Sequence, residues 1–220
     1  MFIEKLRSIY KPKEPILIED MLLLFPNYTR AYVFRLANKS IEKKELARYS
    51  RGVYCIPKEK EYGTLTLNPE MVATKKYVKD GENVFGLYSG LSLLNRFVVI
   101  SQVPASFEII SNKEKSRKRI IKIDYGEFIL RKPRFEITKE NKDYYEILQL
   151  FLEISKGFKI DYLSRKLIVD FIKEKKLKED KLLMYATSFP QVVMKQLLES
   201  GVIYEVFHKQ EESEWIKLNC

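Results

Sequence analysis

The stretch from Tyr28 to Pro57 constrains the fold most, because a helical repeat there gives way to a tight hairpin. From Tyr28 to about Lys43, Val33, Leu36, Ala37 and Ile41 recur at helical spacing, so a helix is predicted with these side chains inward. Glu45–Tyr49 and Val53–Pro57 then form two short strand patterns around the turn Ser50-Arg51-Gly52, which predicts a β-hairpin. Upstream, Ile3, Leu6, Ile9 and Tyr10 share one face of a short helix over 3–10, closed by Pro12 and Pro15. Ile16–Phe25 predicts a second helix, stopped by Pro26-Asn27. Three helices and a hairpin make the layout of a winged helix-turn-helix. Any small three-helix core gives the same periodicity, so a plain helical subdomain stays open at this point.

The rest of the chain predicts an α+β protein, with a mixed α/β region followed by a mostly helical one. Asn68-Pro69 opens a helix through Lys79, ended by Asp80-Gly81. Gly86–Asn95 leads into a short helix, and 107–110, 119–124 and 127–130 read as strands, with Tyr125-Gly126 as a turn. Helices are predicted over 143–155, 161–175, 180–186 and 190–199, with Ser200-Gly201 as a stop and Val202–Val206 as a last short strand. The division expected is a DNA-binding domain over 1–60 and a second domain over 61–220.

Net charge narrows the class of partner. The chain of 220 residues carries 40 Lys+Arg against 30 Asp+Glu. Residues 1–60 hold a net +6, 61–138 a net +4, and 139–220 a net of zero. A located excess of this kind points to an anionic partner near the N-terminal and central regions. Lys113, Lys115, Arg117, Lys118 and Arg119 add a basic cluster, read either as a solvated loop or as a patch for phosphate backbone or an acidic protein.

The chemistry of catalysis is sparse. His208 is the one histidine, in a polar segment where a solvated side chain is expected. With two separated cysteines, Cys55 and Cys220, no zinc constellation is expected and no Cys/His or Ser/His/Asp triad. No phosphate-cradling G-x-x-x-x-G-K-[ST] or G-x-G-x-x-G loop occurs, and Gly86-Leu87-Tyr88-Ser89-Gly90 lacks the spacing of a nucleophile elbow. Carboxylates such as Glu19-Asp20 read as parts of charged helix faces. A metal-dependent nuclease using Glu108, Asp124 and a lysine is the least favoured alternative. The expectation is therefore a binding protein, not an enzyme, without cofactor or metal. Few cysteines, no leader-like N-terminal run and no apolar run approaching the ~20 residues of a membrane span predict a cytoplasmic protein.

The run Glu45-Leu46-Ala47-Arg48-Tyr49-Ser50-Arg51-Gly52-Val53-Tyr54-Cys55-Ile56-Pro57 resembles the wing of AbiEi-type antitoxins and their transcriptional-regulator relatives. Ser89-Gly90-Leu91-Ser92-Leu93-Leu94-Asn95 and Ser101-Gln102-Val103-Pro104 follow in the same order as in that family. The resemblance covers about residues 1–125. A looser match runs from Met184-Tyr185-Ala186 through Phe189-Pro190 to Leu198. It implies a winged helix that represses its own operon, and a second domain that neutralises a neighbouring nucleotidyltransferase-like toxin in abortive infection against phage. The chain departs from the family where relatives carry a glycine, at Lys43-Lys44-Glu45, and Leu36–Gly52 is a few residues longer.

Double-stranded DNA of the chain's own promoter and a cognate toxin are thus the expected partners, with a monomer that pairs on inverted repeats. The candidate DNA contacts are Tyr28, Thr29, Arg30, Tyr32, Arg35 and Lys39 on the third helix and Arg48, Ser50 and Arg51 on the hairpin. Arg30 or Arg35 suits guanine, and Arg48 and Arg51 suit phosphate. The cluster Lys113–Arg119 is the candidate toxin or backbone contact. A stand-alone regulator whose second domain senses a ligand is the competing expectation.

Overall fold

The computed structural model describes residues 2–58, 67–102 and 104–208. Val103 and Cys220 lie outside the described residues, and so does the expected division between residues 60 and 61. The protein is α+β, with small sheets. It divides into two compact units, one of residues 1–76 with 122–126, the other of 77–121 with 127–220.

In the first unit, α1 (Phe2–Ile9) precedes a two-residue strand β1 (Ile16–Leu17), then α2 (Ile18–Leu24) and α3 (Arg30–Glu42). The hairpin follows as β2 (Ala47–Ser50) and β3 (Val53–Cys55), and α4 (Pro69–Ala73) closes the unit. The three strands form one antiparallel sheet in the order β1-β3-β2. Gly52 makes the hairpin turn at φ +75°, a region open to glycine at little cost. Its carbonyl accepts the Ile18 N–H at 2.9 Å, which ties the turn to the start of α2. Leu6, Ile16, Met21, Val33, Ala37, Leu46 and Tyr54 are buried together beneath these elements.

The expected helix over Ile16–Phe25 is corrected at its start. Ile16 and Leu17 pair with Tyr54 and Val53 as a strand, and both are buried. The helix begins at Ile18 because the Asp20 carboxylate accepts the Leu17 N–H at 2.9 Å and holds that residue extended. Asp20 is also not on a solvated charged face: it is buried and forms an ion pair at 3.2 Å with Lys75, itself buried. Only Glu19 of that pair of acids is exposed. The helix expected from Pro69 to Lys79 is shorter too. Asn68 caps it by accepting the Glu70 N–H, but α4 ends at Ala73 and a wider π-helical turn follows over Thr74–Val78. Lys79 then leaves to pair with Val84 as β4 (Lys79–Asp80) against β5 (Asn83–Val84).

In the second unit, β6 (Gly86–Ser89) runs antiparallel to β7 (Phe107–Ser111), and β7 runs parallel to β9 (Gly126–Arg131). With β8 (Arg119–Ile123) the sheet order is β6-β7-β9-β8. The helix expected after Gly86–Asn95 is α5 (Gly90–Arg96). The helices α6 (Lys142–Ile154), α7 (Tyr162–Glu174), α8 (Glu179–Ala186) and α9 (Gln191–Glu199) build the rest. Most of α6 is buried, on every side from Tyr144 to Phe151, which is how a central core helix behaves. Val202–Val206 is not a strand. Val202, Ile203 and Val206 are buried while Tyr204 is exposed, a helical spacing, and a π-helical turn covers Tyr204–His208. His208 is exposed, and its ring lies 3.2 Å from a Glu179 carboxylate oxygen. Among the described residues no helix is long and apolar enough to cross a membrane.

Candidate nucleic-acid interface

The core-facing side of α3 is carried by Val33, Ala37 and Ser40, with Ile41 half-buried beside them. Leu36, expected inward, is only half-buried. This leaves Ala31, Arg35, Asn38, Lys39 and Glu42 exposed along one stripe of the helix. With Phe34 these residues line a shallow open groove of about 590 Å³.

The expected contacts divide into two groups. Tyr28 stacks on Phe25 with ring centroids 5.6 Å apart and meets Tyr32 edge-on at 4.9 Å, so it packs against the core of the unit. The Thr29 hydroxyl accepts the Tyr32 N–H at 3.3 Å and so caps α3; its acceptor is used by the helix itself. By contrast Arg30, Arg35 and Lys39 are exposed. The Arg35 guanidinium lies 4.7 Å from the centre of the Tyr32 ring and that of Arg30 lies 5.7 Å from the centre of the Phe34 ring. Arg48, Ser50 and Arg51 are exposed on the hairpin. Asn38 is not among the contacts expected from the sequence. Its position three residues after Arg35 and one before Lys39 was the available signal, and asparagine is a residue able to bond adenine bidentately.

The end of α3 has a definite geometry. Lys44 adopts φ +58°, and across it the Glu45 N–H donates to the Ser40 carbonyl at 2.9 Å. The Lys44 N–H donates to Ile41 at 2.9 Å. This is the left-handed helix stop in which glycine is favoured.

The basic cluster of the second unit is not one patch. The Glu114 carboxylate is buried and takes the Lys115 and Ser116 N–H groups at 3.0 and 2.8 Å, while the Arg119 guanidinium binds its other oxygen at 2.7 Å. Burial alone would raise this carboxyl, but those donors and the charge of Arg119 outweigh it and hold it below the ordinary range. Arg119 is therefore neutralised locally. Lys113 sits 3.7 Å from the centre of the Phe85 ring. Lys115, Arg117 and Lys118 remain exposed.

The acids weighed for a nuclease each have a partner of another kind. Glu108 pairs with Arg131, and Asp124 accepts the Tyr49 hydroxyl at 3.3 Å. Burial, then the Asp124 charge, pushes the Tyr49 phenol up to about 12. Glu108 and Asp124 belong to different compact units. Among the described residues no group of three or more His, Cys, Asp or Glu side chains is arranged to hold a metal ion. Burial pushes the Cys55 thiol up to about 11, with Lys13 opposing weakly, so it is a poor nucleophile.

No protein-family model matches this chain, and no curated protein matches it.

Proposed function

We propose that this protein is a DNA-binding antitoxin whose first unit is a winged helix-turn-helix. In this reading α3 enters the major groove, the hairpin β2–β3 rides on the flanking backbone, and the protein represses its own operon. Its second unit, residues 77–121 with 127–220, neutralises a nucleotidyltransferase-like toxin encoded beside it, as part of phage defence by abortive infection.

The observation that carries the DNA-binding half is the exposed stripe Arg35-Asn38-Lys39 on a helix whose other side is buried. A helix is the right width for the major groove, and Arg and Asn are the residues that pair bidentately with guanine and adenine. Supporting it are the order α1-β1-α2-α3-β2-β3 and the exposed Arg48 and Arg51, placed on a hairpin for phosphate contacts. The toxin-neutralising half rests on the family resemblance of the wing and of the Ser89–Asn95 segment.

The test is a cell carrying the DNA upstream of this gene fused to a reporter, together with the neighbouring gene under separate control. The protein is expected to silence the reporter and to rescue growth when the neighbour is induced. Arg35→Ala with Asn38→Ala should release the reporter while leaving rescue intact. A reporter insensitive to the wild-type protein rejects the repressor reading, and absence of both toxicity and rescue rejects the antitoxin reading.

A further inference from the structure

We infer that the second unit holds a binding site for a small polyphosphate-bearing ligand of nucleoside-triphosphate size. The site is a cavity of about 760 Å³ between the sheet and α6. Its volume lies within the range of small-molecule sites. Four parts of the chain converge on it: the loop with Lys115 and Arg117, the segment Arg131–Arg134 at the end of β9, Glu108 and Ile110 of β7, and one face of α6 continued by Lys156. The Lys132 N–H donates to the Ser116 carbonyl at 3.2 Å, which joins the first two, and Glu114 fixes the loop from within.

The charge of the lining selects the ligand. Six cations face it, Lys115, Arg117, Arg131, Lys132, Arg134 and Lys156, against two carboxylates, Glu108 and Glu153. Both carboxylates are already matched inside the site: Arg131 pairs with Glu108, and Lys156 pairs with Glu153. Glu153 is buried and also accepts from the Gln149 amide at 2.7 Å. Lys115, Arg117, Lys132 and Arg134 have no carboxylate partner among the described residues. Arg134 is instead held over the Phe189 ring at 5.2 Å. Four unmatched cations around one concavity repel each other, and a ligand with three or four negative charges relieves that repulsion. Arginine and lysine together are the usual binders of phosphate oxygens. Ile110, Pro133 and Leu152 supply an apolar wall for the uncharged part of the ligand.

The inference is independent of DNA binding by α3. The test is calorimetric titration of the full chain with ATP, GTP, inorganic triphosphate and a single-stranded oligonucleotide at low salt. ATP or GTP is expected to bind at one site, with inorganic triphosphate competing. Arg117→Ala with Lys132→Ala, two substitutions outside the core, should weaken that binding roughly tenfold or more. Lys166→Ala with Lys173→Ala, removing two exposed charges on α7, should leave it unchanged. Three results overturn the assignment: no nucleotide binding at millimolar concentration, equal weakening by the control pair, or tighter oligonucleotide binding through Arg117 and Lys132 that displaces ATP. The last would make the cleft a nucleic-acid groove.

Discussion

The Glu45 N–H donates to the Ser40 carbonyl at 2.9 Å, and this bond closes α3 around a lysine, not a glycine. Lys44 at φ +58° carries its Cβ close to the backbone carbonyl, a conformation that costs an L-residue about 1–2 kcal/mol. Lys44→Gly should therefore stabilise the protein by about 1 kcal/mol, less the entropy that glycine adds to the unfolded chain. Urea unfolding checks it; a variant less stable than the wild type would mean that the lysine makes a compensating contact. The exposed side chain of Lys44 gives no sign of one.

Asp20 has two tasks, capping α2 through the Leu17 N–H and pairing with Lys75 in a buried site. Asp20→Ala removes the carboxylate that faces the buried Lys75 ammonium and should cost about 3–5 kcal/mol. Asp20→Ala with Lys75→Met should recover most of that loss, since replacing both charges by apolar groups is often neutral. A double variant as unstable as Asp20→Ala alone would place the cost in the cap and not in the pair.

Glu114 sets an acid-side dependence. Its carboxyl lies below the ordinary value of 4.5, so the folded state favours the ionised form. The stability it contributes is fully present above pH 4.5 and is lost as pH falls through its lower folded value. Wild type and Glu114→Gln should differ most in melting temperature near neutrality and converge in acid. A difference that widens as pH falls has the wrong sign for this assignment.

The sequence made some elements readable and concealed others for physical reasons. α3 was legible because Val33, Ala37 and Ile41 repeat at helical spacing, and the hairpin because Gly52 sits between two short apolar runs. The strand β1 was not, since two buried residues contain no period and Ile16-Leu17 continues smoothly into the helical pattern. The composition of Val202–Val206 is β-prone and predicts a strand, while its burial follows a helical spacing set by the core beneath it. In the candidate site, the expected contacts include Arg35 and Lys39 but not Asn38 between them. It also joined Arg119 to Lys115 and Arg117, although Glu114 separates them by neutralising Arg119. The cavity in the second unit was illegible, because its cations come from segments that only the fold brings together.

The central claim is that the stripe Arg35-Asn38-Lys39 reads sequence while Arg48 and Arg51 hold phosphate. Fluorescence anisotropy tests it most directly, using the duplex upstream of the chain's own gene and a scrambled duplex over a salt series. The wild type should prefer its own duplex by about 10³-fold or more. Arg35→Ala and Asn38→Ala should each cost about 1–3 kcal/mol on that duplex and little on the scrambled one. Arg48→Ala with Arg51→Ala should weaken both duplexes alike and flatten the salt dependence. Equal affinity of the wild type for both duplexes, with the same loss from either pair of substitutions, would contradict the account and reduce the first unit to a basic surface.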